Sequence, residues 1–335
     1  MPKKNSIAII GAGLSGLILA NFLAKKHEVK IFEKARGVGG RMASRTKENL
    51  NFDFGCQFFL AKTLEFNNFL QPFIDNKILL PWNAKFAEID NYQITLEREW
   101  NEDSHHFVAS NKINQFPKEL AKNLDITLQT KITKIQKINR KWHLFDDKDL
   151  LIEKFDWVFI TCPNQQTVDL ITNAKKNCDF FENLHQHKML GCFALMLAFD
   201  QSLNLKFDVS LVKNSIISWI SHEDSKPNKT KNNAYTILSQ NNWAEKNIEQ
   251  NPDIVSQELI AEFSKIINQK LPNILHQDLH KWRYANIKKQ NNLNHSYIDK
   301  KNKIGVCGDW LIQGRVEASF LSATNLIQKF NEFYS

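Results

Sequence analysis

The chain has 335 residues, 42% hydrophobic and 11% aromatic, enough for two domains with buried cores at roughly 100–200 residues each. Its apolar runs are strand-sized, short of the roughly 20 residues a membrane helix needs, which argues against a membrane span. Lys plus Arg exceed Asp plus Glu by 44 − 36 = 8, spread without a dense basic block; this excludes a nucleic-acid reader and predicts a solvated basic surface with some attraction for anionic ligands.

Five cysteines (Cys56, Cys162, Cys178, Cys192, Cys307) are odd in number and lack CxxC spacing. That composition argues against a disulfide framework or a zinc site and predicts a reducing, cytoplasmic setting. The N-terminal charged and apolar run is not read as a signal peptide: glycines interrupt it at fixed spacing and no small-residue cleavage site follows.

In chain order, Ser6 to Ala12 reads as a strand ending in glycine. Leu17, Ile18, Ala20, Phe22 and Leu23 then fall at helical spacing within Leu14 to Lys26, and Val29, Ile31 and Phe32 mark a second strand over Glu28 to Lys34. The opening is therefore a βαβ unit. Thr63 to Asp75 and Pro117 to Leu124 read as helices. Ile126 to Phe145 reads as strands turning at Asn139-Arg140, with Lys131-Ile132-Thr133 inside one of them. Phe155 to Thr161 is a buried strand halted by Pro163. Gly191 to Asp200 is apolar, Ser210 to Ser221 alternates, and Ser225 to Asn233 is the clearest loop. Ile254 to Ile267 is an amphipathic helix, Lys303 to Cys307 a last strand, and Val316 to Phe333 a last helix.

Three glycine-bearing segments carry the chemistry. Gly11-Ala12-Gly13-Leu14-Ser15-Gly16 has the pattern GxGxxG. Its first glycine permits the tight turn, its second lets backbone approach a pyrophosphate, and its third lets helix and strand pack closely. Phosphates then sit at the helix N-terminus. Glu33, about twenty residues on, ends the second strand, where a carboxylate accepts ribose hydroxyls. Gly37-Val38-Gly39-Gly40-Arg41-Met42 follows directly; its glycines admit close backbone and Arg41 can face pyrophosphate, which favours FAD over NAD. Lastly, Gly308 ends a strand, Asp309 is placed for the ribityl or phosphate region, and a helix starting near Val316 can turn its N-terminus to the flavin N1–C2=O edge. Glu317 also reads simply as a first-turn carboxylate. Ten of the 11 glycines lie in or beside these segments. A single GxGxxG leaves no second nicotinamide-cofactor domain.

The spread of these segments over both ends and the middle predicts a discontinuous cofactor domain interrupted by a second domain. Boundaries are expected at 1–62, 111–172 and 291–335 for the cofactor domain, and at 63–110 and 173–290 for the other. The pairs His276/His280 and His185/His187 read as structural or solvated, so no metal is expected; no GxSxG nucleophile elbow occurs.

With GVGGRM, the Asp53–Phe59 segment DFGCQFF, HKWRYAN (His280 to Asn286) and CGDWLIQGRVEASFLSA (Cys307 to Ala323), the chain resembles the FAD-dependent amine oxidase superfamily and, within it, bacterial renalases. The likeness rests on the two ends and HKWRYAN, roughly a third of the chain. It implies an α/β fold: a Rossmann-type, p-hydroxybenzoate hydroxylase-like FAD-binding domain with an inserted mixed α+β substrate domain. It also implies non-covalent FAD, and oxidation of 1,2- and 1,6-dihydronicotinamide isomers of NAD(P) to NAD(P)+, with oxygen as acceptor and hydrogen peroxide as product. By the same resemblance, Gly11, Ala12, Gly13, Leu14, Ser15, Gly16, Glu33, Arg41 and Asp309 hold the dinucleotide, and Ile132 meets the adenine through its backbone. Gln57 lines the flavin, and Val316, Glu317 and Ala318 cover its pyrimidine edge. Lys34, Gly40, Met42, Pro163 and Gly308 complete the cofactor-side candidates. Trp282, Arg283 and Tyr284, with Gln57, are the candidates on the substrate side. Cys56 stands where a small residue such as Ala is expected, and Asn286 where Pro is common. An amine or polyamine oxidase, and a flavin-binding redox module without turnover, remain alternatives.

Overall fold

The computed structural model describes residues 4–101, 105–174, 178–288, 290 and 294–333. They form two compact units, each assembled from separated stretches of chain: Met1–Arg41, Pro117–Met189 and Ile287–Ser335 in the first, Met42–Phe116 and Leu190–Asn286 in the second.

The first unit is built on a six-stranded sheet. Its order is Ser296–Asp299, Ile304–Cys307, Trp157–Ile160, Ser6–Ile10 (β1), Glu28–Phe32 (β2) and Asp125–Thr127. All neighbours are parallel except the first pair. Ile7, Ala8 and Ile9 are fully buried, as a central parallel strand covered on both faces requires. Helix Leu14–Leu23 (α1) joins β1 to β2, and the C-terminal helix Val316–Asn331 packs on α1. A three-stranded antiparallel sheet, Lys134–Ile138, Lys141–Phe145 and Leu151–Phe155, belongs to the same unit. Its first turn is Asn139-Arg140, with φ of 48° and 68°, the two left-handed residues of a two-residue hairpin. The expected strand over Lys131-Ile132-Thr133 is corrected: pairing starts only at Lys134. The preceding stretch instead runs beside the end of β2, where Thr130 N–H donates to Glu33 O (2.9 Å) and Gln129 N–H to Ala35 O (3.0 Å).

The second unit holds a seven-stranded sheet in the order Ile274–Asn286, Leu190–Phe199, Ala234–Ser239, Ile217–His222, Val209–Lys213, Lys85–Asp90 and Gln93–Glu99. Only Val209–Lys213 and Lys85–Asp90 run parallel. Leu190–Phe199 is apolar throughout because both its faces are covered. Leu195, Leu197 and Phe199 pack with Val255, Leu259 and Phe263 of helix Pro252–Ile267. Ala194, Met196 and Ala198 pack under Phe52 and Phe54, carried by the hairpin of Ser44–Lys47 and Leu50–Asp53 and the residues after it. That hairpin explains why the first changeover between units falls at Arg41/Met42, against an expectation of 62/63: its apolar side chains belong to the core of the seven-stranded sheet. The other changeovers fall at 116/117, 189/190 and 286/287, against expected positions of 110/111, 172/173 and 290/291. Among the described residues, no helix is long and apolar enough to cross a membrane.

Candidate functional site

In the first unit, β1 ends at Ile10 and the chain turns at Gly11, whose φ of +109° is open to glycine. Gly11 N–H donates to Phe32 O at 2.9 Å, and Thr161 Oγ1 donates to Gly11 O at 2.8 Å. A Cβ on Gly16 would overlap the Gly11 carbonyl oxygen, so helix and strand approach at a distance only glycine allows. At Gly13, the N-cap of α1, an added Cβ would meet nothing within 4 Å. The same residue borders open space, as a backbone that receives an external group must. Helix α1 starts without a side-chain cap and without an acidic residue in its first turn. Its first N–H groups and positive dipole end therefore face outward to any anion placed there. Leu14, Ser15 and Gly16 are buried behind them.

Glu33 closes this loop. Its Oε2 accepts Ala12 N–H and its Oε1 accepts Ala35 N–H, each at 2.8 Å. Each carboxylate oxygen keeps a further lone pair, so a ribose hydroxyl can still be accepted. Gly39 N–H donates to Ala12 O at 2.8 Å, and the Gly40 backbone passes Gly13 closely at φ +56°. The second glycine segment is thus laid along the first. Beyond it, Arg41 and Asp309 form a two-pronged ion pair: Nη1 to Oδ2 at 2.9 Å and Nη2 to Oδ1 at 2.5 Å. The sequence gives these two residues separate duties; the structure joins them, so Asp309 orients Arg41 and offsets part of its charge. Arg41 remains about 30% exposed, while Asp309 is buried.

Gly308 N–H donates to Ser322 Oγ at 2.8 Å, and Trp310 Nε1–H reaches Cys162 O at 3.0 Å. Val316, Glu317 and Ala318 form the first turn of the C-terminal helix, with Glu317 and Ala318 buried; Ser15 Oγ donates to Ser319 O at 3.3 Å, tying the two helices together. Pro163 caps helix Asn164–Asn173, from which Gln166 accepts Lys34 Nζ at 3.2 Å. Ile132 is buried. Lys34, Gln129, Thr130 and Lys131 line a groove of about 530 Å³.

In the second unit, strand Ile274–Asn286 alternates its side chains. His276, Asp278, His280 and Trp282 therefore share one face, and the register shifts beyond Trp282, before Tyr284. Trp282 Nε1–H donates to Phe54 O at 2.9 Å, and the two rings stack with centroids 5.3 Å apart. His280 meets both rings edge-on, at 4.7 Å from Phe54 and 4.3 Å from Trp282. The Arg45 guanidinium lies 4.8 Å over Phe54 and pairs with Asp278. Burial, helped by Arg45, pushes the His280 pKa down to about 4, so its ring is neutral at pH 7. Arg283 stands apart from Trp282: it lies on the opposite face, exposed, and its Nη2 holds Glu249 Oε2 at 3.0 Å. The three neighbours in sequence are not one cluster.

Gln57 is buried and turned inward. Its Nε2 donates to the carbonyls of Asp53 and Gly55, and its Oε1 accepts Lys226 Nζ at 3.3 Å. Both amide hydrogens of Gln57 are thus engaged within its own segment. Lys226 leads to a group that the sequence does not announce: Asp53, Glu223, Lys226 and Lys229, all buried and mutually paired. The solvated-surface reading is therefore corrected for Lys226 and Lys229, which sit inside the clearest loop of the sequence. Only the i,i+3 spacing of Glu223, Lys226 and Lys229 hints at it; the lysines' other partner, Asp53, is 173 residues from Lys226. Burial opposes ionisation of Asp53, but Lys229 and Lys226 hold its pKa well below the usual carboxylate range; Lys229 is held up in turn by Asp53 and Glu223. Cys56, half-buried, donates from Sγ to Phe58 O at 3.2 Å. His187 Nδ1 lies 3.2 Å from Gln290 Oε1, and His276 stacks on Phe52. Among the described residues, no group of three or more His, Cys, Asp or Glu is placed to hold a metal ion.

Comparison with known proteins bears on the fold. Residues 9–73 match the model of the NAD(P)-binding Rossmann-like domain. A stretch of 50 residues, 15% of this chain, is 52% identical to 4,4'-diapophytoene desaturases (4,4'-diaponeurosporene-forming) of Staphylococcus haemolyticus (strain JCSC1435) and Staphylococcus aureus (strain Newman). The match spans only 10% of the length of these curated relatives. Over nearly the whole chain, the structure is similar to a proposed protoporphyrinogen oxidase from Exiguobacterium sp. 255-15, with a TM-score of 0.79 at 12% identity, covering 98% of this chain and 99% of that one. A CLA-producing fatty acid isomerase from P. acnes gives 0.72 at 11% identity, covering 98% and 99%. A redesigned putrescine oxidase gives 0.69 at 10% identity, covering 97% and 98%. The chain thus carries a Rossmann-like dinucleotide-binding segment within a mixed α/β fold that it shares with these proteins.

Proposed function

We propose that this protein is a FAD-dependent oxidoreductase of renalase-like type, oxidising 1,2- or 1,6-dihydronicotinamide isomers of NAD(P) to NAD(P)+ with oxygen as electron acceptor. The observation that carries the cofactor is the second glycine segment laid on the first: Gly39 N–H bonded to Ala12 O, with Arg41 directly beyond. A lone fingerprint serves NAD equally well, whereas a second close-approach segment ending in an arginine suits the longer path of FAD. The open side of Gly13 fits a pyrophosphate, and Glu33 has lone pairs left for a ribose. Bound FAD would supply hydride acceptance and reoxidation by oxygen, with hydrogen peroxide as the product.

The chain's own residues bind and orient. Backbone N–H groups at the start of α1 receive phosphate oxygens, Arg41 adds a charged fork whose aim Asp309 fixes, and Glu33 accepts the ribose. Trp282 and Tyr284 are the substrate-side candidates, offering aromatic faces to a planar ring; neutral His280 beside Trp282 adds no positive charge at pH 7. A dihydropyridine is already a good hydride donor, so no strong base is required and positioning is the main demand. A reducing, cytoplasmic location accompanies this reading. The fold likeness to a putrescine oxidase keeps amine oxidation as the second reading.

The test is anaerobic stopped-flow mixing of the purified flavin-loaded protein with each dihydronicotinamide isomer, following flavin absorbance at about 450 nm. Rapid bleaching by an isomer, with ordinary NAD(P)H and simple amines slow, is the expected outcome. Bleaching by an amine alone would transfer the function to amine oxidation.

A further inference from the structure

Loop Ser225–Asn233 is polar in sequence and strapped into the second unit in structure. Lys226 Nζ lies 3.3 Å from Asp53 Oδ2 and 3.0 Å from Glu223 Oε2; Lys229 Nζ lies 2.8 Å from Asp53 Oδ2 and also pairs with Glu223. All four side chains are at most 2% exposed. The carboxylates take further donors: Thr236 Oγ1 to Glu223 at 2.6 Å, and Ser44 Oγ and Ile113 N–H to Asp53 at 2.7 and 2.9 Å.

Such an arrangement is a poor way to gain stability alone, since removing four charges from water opposes most of their attraction and apolar replacements of equal volume often do as well. What it supplies is geometry, and the two lysines differ in it. Lys229 completes its set with Asn51 O at 3.4 Å, in the hairpin that already carries Asp53. Lys226 spends its third donor on Gln57 Oε1. Gln57 in turn closes the stretch onto itself by donating to the carbonyls of Asp53 and Gly55. An ammonium has three donors, and those of Lys226 meet acceptors on residues 53, 57 and 223.

We propose that Lys226 is a positioning residue: through the Gln57 carboxamide it sets the path of Asp53–Phe58, the stretch bearing Cys56. The ion group is the anchor, and the Lys226–Gln57 bond transmits its position to the segment.

Two charge-balanced double variants separate positioning from bulk stability. Lys226→Met with Glu223→Gln removes one opposite-charge pair and releases Gln57. Lys229→Met with Glu223→Gln removes an equivalent pair and leaves Gln57 held. Alkylation of Cys56 by iodoacetamide, resolved by peptide mass spectrometry, reads the segment, with buried Cys192 and Cys307 as internal controls. Labelling of Cys56 is expected to rise about tenfold or more in the first variant and to stay within about twofold in the second, the range for loss of one hydrogen bond to a charged group. Equal rises in Cys56 labelling in both would overturn the proposal and leave the ions a merely structural role. Should the first variant fail to fold, Gln57→Leu cuts the same bond with the four charges intact, and unchanged labelling there would overturn it as well.

Discussion

His280 lies against Phe54 and Trp282 with the Arg45 guanidinium beside it. Its folded pKa, about 4, lies below the ordinary value of 6.5. Between those values the unfolded chain binds a proton that the folded chain refuses, so stability rises with pH across that window and is lost as pH falls from about 6.5 towards 4. His280→Phe, which keeps an aromatic ring, is expected to flatten part of this acid sensitivity. Melting temperatures at pH 7 and pH 5 measure it, and parallel curves for wild type and variant would refute the assignment. His276, also held down by burial, keeps the slope from vanishing. At this scale the sequence speaks clearly where chemistry is local. The glycines of residues 11–16 and Glu33 are legible because their spacing is fixed by one turn and one strand length. Arg283 is not: its neighbours are aromatic, yet period-two alternation turns it away from Trp282, and which face of the strand is covered depends on a hairpin more than 200 residues earlier.

The hairpin Lys134–Ile138 and Lys141–Phe145 shows what is legible in an element. Asn139-Arg140 reads as a turn, and both residues do adopt positive φ. Asn tolerates that conformation, while Arg carries a Cβ that disfavours it by roughly 1–2 kcal/mol. Arg140→Gly, at φ 68°, is expected to stabilise the protein by about 1 kcal/mol after the larger chain entropy of glycine is subtracted. Urea unfolding would register it as a higher midpoint at unchanged slope; a lower midpoint would count against this reading of the turn. Other elements hide from sequence for an opposite reason. Gln93–Glu99 is exposed along its whole length: Ile94 and Leu96 alternate with polar residues but are not buried, so two apolar positions are all that mark it, and its pairing with Lys85–Asp90 decides its conformation.

Across the whole molecule, neither unit is a continuous stretch of chain. The parallel pair Lys85–Asp90 and Val209–Lys213 completes the second unit. In the first, strand Ile304–Cys307 and helix Val316–Asn331 complete the sheet and its cover. A chain ending at Met189 therefore lacks one flanking strand in each unit, leaving Phe86, Ala87 and Ile89 of the second paired only with Gln93–Glu99, and Val158, Phe159 and Ile160 of the first paired only with β1. Such a truncation is expected to give neither a cooperative unfolding transition nor retained flavin. A sharp calorimetric transition would show that one unit closes without those strands. That the first unit is discontinuous is legible from the placement of the glycine segments. The changeover positions are not, because they depend on which sheet receives a given apolar side chain, and Phe52 and Phe54 follow a glycine segment that belongs to the other unit.

The buried ions also impose a timetable on synthesis. Asp53 leaves the ribosome 173 residues before Lys226, so at about 5–20 residues per second it waits roughly 9 to 35 seconds for its counter-charge. Throughout that interval, drying the strand Leu50–Asp53 carries the full desolvation cost of a charge whose two lysine partners do not yet exist.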